Sequence, residues 1–206
     1  AMRCPTLHDL PPPPPGKTGW PWTEESTQAP ELTPSGEAWP RISIVTPSYN
    51  QGVFIEETIR SVLLQGYPDL EYIVIDGGST DNSVEIIRRY APWMTYWFSE
   101  PDRGQANAIN KGFEHATGTI LGYLNSDDLY WPGGLVALIE QAIRGNAIGN
   151  NLLAGAVQDL EASGLGRVFR NACYGTIQQW LDLHVAIHQP GCLWSEDVWN
   201  TCGPFR

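Results

Sequence analysis

The chain has 206 residues, 42% hydrophobic and 17% charged, enough for one ordinary domain with a tail. A formal net charge of −11 and only two lysines, Lys17 and Lys111, exclude a surface built to displace counterions from a polynucleotide, so no nucleic-acid partner is expected. Four cysteines without CxxC spacing (Cys4, Cys173, Cys192, Cys202) argue against structural zinc, and no apolar run reaches the ~20 residues of a membrane span or the pattern of a secretory signal.

Residues 1–40 read as a Pro-rich N-terminal tail. They hold 10 of the 17 prolines, five of them consecutive at Pro11–Pro15, a composition that extends as polyproline II. Three indoles, Trp20, Trp22 and Trp39, are more than a spacer needs, so part of the tail is expected to pack back onto the rest.

From Arg41 the pattern changes. Ile42–Thr46 is a β-branched run ending at Pro47, and Ile55–Gln65 places Ile55, Ile59, Val62 and Leu63 on one helical face. Tyr72–Ile75 reads as a buried strand, and Asp81 can cap a following helix that turns Val84, Ile87 and Tyr90 inward. A weaker strand at Tyr96–Ser99 and a helix near Gln105–His115 come next, then a strand at Ile120–Leu124. Later elements are less regular: strands at Leu152–Val157 and Val168–Tyr174, helices near Ile177–Leu183 and Glu196–Thr201. Strand and helix alternating over short connections predict an α/β domain, a mainly parallel central sheet flanked by helices.

In such sheets the functional loops follow the carboxyl ends of the strands. Three of the first four strand ends carry conspicuous polar groups: Pro47-Ser48-Tyr49-Asn50, Asp76-Gly77-Gly78-Ser79 and Asn125-Ser126-Asp127-Asp128. Adjacent acids after an apolar strand are costly unless something positive joins them, and a hard divalent cation with oxygen ligands is one remedy. A helix cap toward Pro132 would explain Asp127 and Asp128 as well. Asp76 before two glycines suits either a ligand-facing acid or an Asp-Gly turn. Asp102–Asn107 precedes a helix, where Arg103 and free amides could meet a phosphate or simply form a capped turn. His188 is a weak metal candidate beside the commoner role of a hydrogen-bonded loop histidine. The absence of GxGxxG after the first strand disfavours a dinucleotide fold.

Thr46–Asn50, Val74–Asp81, Asp102–Gly112 and Tyr123–Asp128, in that order and spacing, resemble the successive motifs of the family-2 glycosyltransferases, with a fainter echo at 188–206. The resemblance implies a GT-A-like fold, a nucleotide-sugar donor with UDP as the default nucleotide, a divalent metal (Mn²⁺ or Mg²⁺) and inversion at the anomeric carbon. Carried over by position, it implies Pro47 and Tyr49 beside the base, Asp76 accepting from the base's ring N–H, and Arg103, Gly104 and Asn107 closing over base and ribose. Asn125 and Ser126 would contact the donor, and Asp127 and Asp128 would hold the metal, although Asn125 stands where the family pattern has an acid.

The acceptor implied is a glycan or a lipid-linked glycan, in a cytoplasmic setting at the inner membrane surface with peripheral membrane association. In the family the catalytic base lies some way after a Gly-aromatic segment such as Gly203-Pro204-Phe205. The domain at 41–206 is therefore expected to be truncated on its acceptor side, with Glu196 and Asp197 as weak stand-ins for the base. Two other readings remain open: a non-catalytic module that holds a nucleotide diphosphate, and a nucleotidyltransferase, which would want a basic, Gly-rich loop after the first strand.

Overall fold

The computed structural model describes residues 4–146, 148, 152–155, 157–161, 164–169, 174–175 and 191–205. The helix expected at 177–183, His188 and Cys173 lie outside the described residues. The strands are β1 (Ile42–Ser48), β2 (Leu70–Asp76), β3 (Tyr96–Ser99), β4 (Ile120–Tyr123), β5 (Leu152–Ala154), β6 (Val157–Glu161), β7 (Gly164–Phe169), β8 (Tyr174–Gly175) and β9 (Cys192–Ser195). The helices are α1 (Ile55–Leu63), α2 (Ser83–Tyr90), α3 (Gln105–Phe113), α4 (Gly134–Arg144) and α5 (Glu196–Cys202).

Among the described residues one sheet has the strand order β3-β2-β1-β4-β9-β5-β8, and β6 pairs with β7 apart from it. β3, β2, β1 and β4 run parallel, while β9 enters antiparallel to both β4 and β5. The expected mainly parallel α/β architecture is present. β1 and β2 are buried along all seven residues, which is why both read as near-continuous apolar runs instead of alternating ones.

Each face of the sheet has its own core. On one side Ile42, Ile44 and Tyr72 pack with Ile55, Ile59 and Leu63 of α1, Ile87 of α2 and Ile139 of α4. On the other, Val45, Ile73, Ile75 and Leu121 meet Ala108, Ile109 and Phe113 of α3, with Trp194 closing the edge. In α2, Ile86 is buried and Val84 only half-buried, a small shift from the expected face.

The Pro-rich segment is built into the first core. Cys4, Leu10, Ala29 and Trp39 belong to that cluster, and Trp22 is buried. The anchor is Arg60 on α1, which is fully buried. Its guanidinium donates to the carbonyls of Pro11 (2.8 Å), Pro21 (3.0 Å) and Trp22 (3.1 Å) and to the Tyr90 hydroxyl (3.1 Å). It also lies 5.3 Å from the Trp22 ring, within cation–π range. A buried cation is tolerable because each of its three nitrogens meets an acceptor, and Glu56 accepts from Tyr90 at 2.8 Å behind it. Trp20 Nε1 reaches the Tyr130 carbonyl and Trp39 Nε1 the Pro30 carbonyl, both at 2.9 Å.

Arg60→Ala strands three carbonyls, those of Pro21 and Trp22 in buried places, and opens a cavity, so a loss of about 3 kcal/mol or more is expected. Urea denaturation followed by tryptophan fluorescence measures it, and limited proteolysis should then cut within residues 4–40 first. Unchanged stability would show that the segment is held some other way.

Candidate functional site

The loops at the carboxyl ends of β1, β2, β3 and β4 meet in one cavity of about 690 Å³. Pro47, Ser48, Tyr49 and Gln51 line it from β1, Gly77 and Gly78 from β2, and Asn125, Ser126 and Asp127 from β4. Pro101, Asp102, Gly104, Gln105 and Ala108 close it from the β3–α3 connection. Six predicted residues thus share the cavity: Pro47, Tyr49, Gly104, Asn125, Ser126 and Asp127. Tyr49 is 61% exposed, an aromatic ring left open at the rim.

Asp76 is not among the lining residues, and the expected contact with a base does not fit its surroundings. It is fully buried, and its carboxylate is occupied inside the protein. Oδ2 accepts from the amides of Gly78 (3.1 Å) and Ser79 (2.8 Å) and from the Ser99 hydroxyl (2.6 Å), while Oδ1 accepts from the Ser79 hydroxyl (2.5 Å). Asp76 therefore organises the loop behind the cavity. Sequence alone shows an acid before two glycines; it does not show that Ser79 and Ser99 converge on that acid.

A second set of bonds ties this loop to the one after β1. The Asn50 amide donates to Ser79 Oγ (2.8 Å), and the Thr80 amide donates to Asn50 Oδ1 (2.8 Å). The Gln51 amide reaches Ser83 Oγ, and the Gly52 amide reaches Asp81 Oδ2, both at 2.9 Å. Asp81 also takes the Ser83 amide through Oδ1, so it serves the start of α2 from one residue before the cap position. Asn50 holds the latch with φ at 53°, a left-handed conformation that Asn adopts more readily than most residues.

On the other side, Gln105 Nε2 donates to Asn125 Oδ1 (2.6 Å), and Asn125 Nδ2 donates to Asp128 Oδ2 (3.1 Å). Thr58 Oγ1 stands 2.9 Å from the carbonyls of both Ser126 and Asp128 and fixes the loop on α1. Asp128 follows the lining residue Asp127 and is not itself among the lining residues; burial pushes its carboxyl up, the Asp127 charge adds to this, and the Asn125 amide offsets part of it. An amide at 125 can donate to Asp128, which a third acid could not do.

Arg103 is exposed and outside the lining; its amide donates to Asn107 Oδ1 (3.3 Å), so Asn107 caps the turn before α3. Gly104 has φ 101° and ψ 178°, a conformation open essentially to glycine. Glu196 and Asp197 are far from the cavity. β9 runs antiparallel to β4, pairing Ser195 with Ile120, and the Glu196 amide donates to the Thr119 carbonyl at 3.0 Å. Asn125 lies six residues further along, about 20 Å at the rise of a strand. That position removes both acids as stand-ins for a base acting in the cavity.

Ser48, Asp102 and Gln105 were named from sequence only as parts of their segments, without a role of their own, and Gln51, Pro101 and Ala108 were given none. For a metal, the described residues offer no group of three or more His, Cys, Asp or Glu side chains. Asp127 and Asp128 fit the sparser pattern of Mg²⁺-type sites, one or two carboxylates completed by substrate phosphates. No Lys or Arg among the described residues pairs with either.

Asp76→Ala frees two amides and two hydroxyls in a buried place and is expected to cost about 2–4 kcal/mol. A shift in the urea midpoint at constant slope would confirm it. Wild-type stability would mean the loop is held by the Asn50 latch alone.

The chain matches the family described as Glycosyl transferase family 2 over residues 43–194. An uncharacterized glycosyltransferase of Mycobacterium tuberculosis is 36% identical over 130 residues, covering 63% of this chain and 47% of that protein. TuaG of Bacillus subtilis, a glycosyltransferase named for teichuronic acid biosynthesis, is 39% identical over 92 residues, 43% of this chain and 36% of that protein. Among solved structures, the mannosyltransferase PcManGT of Pyrobaculum calidifontis, in complex with GDP-Man and Mn²⁺, has a TM-score of 0.62. That likeness, at 23% identity over 89% of this chain and 51% of the other, is one of fold. It bears out the expected GT-A-like architecture. The chain spans about half the length, or less, of the curated relatives it matches. With the family pattern running from β1 to β9 and its strand-end loops gathered around one cavity, the chain belongs to glycosyltransferase family 2.

Proposed function

We propose that the cavity binds a nucleotide-sugar, with UDP as carrier, and that the protein transfers the sugar with inversion to a hydroxyl of a glycan or lipid-linked acceptor, dependent on Mn²⁺ or Mg²⁺. The observation that carries this reading is the meeting, in one cavity at the carboxyl edge of the sheet, of an exposed ring, Tyr49, and a carboxylate, Asp127, that has no ion-pair partner among the described residues. Gly77 and Asp127 follow strands two places apart, about 10 Å at sheet spacing, which leaves room for a ribose between a base and a diphosphate.

In this reading Tyr49 stacks on the base beside Pro47, and Asn125 and Ser126 contact the ribose and the diphosphate. Arg103, Gly104 and Asn107 form the segment that covers the ribose, with Gly104 providing the close backbone approach. Asp127 and Asp128 hold the divalent ion, which supplies positive charge against the charge gathering on the departing diphosphate. Thr58 and Gln105 keep the Asn125–Asp128 loop in place, so its charges are set before the donor arrives. Residues 41–206 carry the catalytic part, and residues 4–40 brace it from the α1 side. The proposed setting is the cytoplasmic face of the inner membrane; among the described residues no helix is long and apolar enough to cross a membrane.

Calorimetric titration of UDP into the chain with Mn²⁺ should give binding that disappears in EDTA. At 100 times Kd the ligand should add about 2.7 kcal/mol, a rise in Tm of roughly 5–10 °C for this size. Equal affinity in EDTA would overturn the metal dependence, and no binding of any nucleoside diphosphate would overturn the reading. Asp127→Ala should abolish the Mn²⁺-dependent binding and leave the Tm of the ligand-free protein within about 1 °C or higher, because it removes repulsion toward Asp128. A large drop in that Tm would instead assign Asp127 to the fold.

A further inference from the structure

We propose that Asp102, standing in the space left by the missing side chain of Gly77, is the carboxylate that reads the donor's base, selecting one that presents a lone N–H donor flanked by carbonyls, such as uracil. This rests on the nucleotide-sugar reading of the cavity and names the residue that sets its choice of base.

Three observations lead there. The acid at the end of β2, Asp76, is buried and spends its carboxylate on four donors within the protein. Asp102 lines the cavity, and only Oδ1 is engaged, accepting the Gly104 amide at 2.7 Å. Asp102 Oδ2 has no hydrogen-bond partner among the described residues, and it lies 3.0 Å from where a Cβ at position 77 would stand.

Gly77 and Gly78 are glycines for different reasons. Gly78 has φ 84° and packs against the Pro101 backbone, so conformation alone demands it. Gly77 has no such conformation; what a side chain there would meet is the Asp102 carboxylate, at 3.0–3.2 Å. The two residues therefore form one feature, an acid from the β3–α3 connection reaching over the β2 loop into the cavity. The neighbouring Ser48 lines the same cavity, and its buried hydroxyl has no partner among the described residues.

The chemistry follows from which oxygen is available. A carboxylate accepts and never donates, so it suits the N3–H of uracil or thymine and opposes the N3 lone pair of cytosine. Guanine presents N1–H and N2–H side by side and is best met by both oxygens of a carboxylate, but here Oδ1 is turned to Gly104. Adenine offers no ring N–H on that edge.

The test is titration of UDP, dTDP, GDP, CDP and ADP, each with Mn²⁺, into the wild-type chain and into Asp102→Asn. The wild type should bind UDP or dTDP at least 10-fold tighter than the other three, the dTDP arm showing whether the 5-methyl and 2′-deoxy positions are tolerated. In Asp102→Asn the amide oxygen can keep the Gly104 bond while the amide nitrogen faces the base. UDP affinity should fall 10- to 100-fold while CDP affinity rises, reversing or nearly reversing their ratio. Gly77→Ala should weaken UDP at unchanged Tm, and Asp76→Asn should lower Tm and leave the UDP/CDP ratio alone. Unchanged UDP affinity in Asp102→Asn, an equal loss for UDP and CDP, or a wild-type preference for GDP, CDP or ADP would overturn the assignment while leaving the nucleotide-sugar reading intact. Failure of the wild type to bind any of the five would overturn both.

Discussion

The cavity depends on one buried carboxylate. Asp76 ends the second strand with no exposure to solvent, and its charge is acceptable there because two amides and two hydroxyls converge on it. Two of those donors belong to Ser79 and one to Ser99, so the acid fixes its own loop and joins it to the end of β3. Ser79 in turn receives the Asn50 amide, which brings the β1 loop into register with the others. The loops after β1, β2 and β3 are thus held by a network satisfied from within, in which the Tyr49 and Asp127 side chains take no part.

That division of labour explains which parts of the site could be read from the sequence. The strands were legible because β1, β2 and most of β4 are buried on both faces and so appear as near-continuous apolar runs, each ended by polar residues that mark the active edge. Tyr49, Asn125 and Asp127 were legible for the same reason: they come immediately after such a run. Asp76 and Asp102 were harder, because both are acids one or two residues before a glycine near a strand end and only their surroundings separate them. The first is consumed by serines 3 and 23 positions away; the second lines the cavity and keeps one oxygen without a hydrogen-bond partner among the described residues. No local pattern carries that difference.

Glu196 and Asp197 show a different blindness. Their types and their place before an aromatic segment suit an acceptor-side acid, and only strand direction excludes them. β9 enters the sheet antiparallel to β4, so the residues that follow it emerge at the amino edge. The chain then returns through α5, and Phe205 comes to rest 5.6 Å from Tyr123, with its amide on Asn110 Oδ1 at 2.9 Å. Direction in a mixed sheet is settled by long-range pairing, and a seven-residue helix can reverse a side chain's address from one end of the domain to the other.

The Arg60 anchor has a consequence for how freely the two partners can drift. Three of its four acceptors are main-chain carbonyls, at Pro11, Pro21 and Trp22. Every residue type carries that group, proline included, although proline lacks the donor. Replacement of the Pro11 side chain therefore leaves its acceptor in place, while no substitute for Arg60 has a planar fork able to serve all of them at once. Tolerance is one-sided: the early segment can wander in composition so long as its path persists, whereas position 60 is confined to a single residue. Related chains compared at these positions would show a variable arm laid over an invariant arginine.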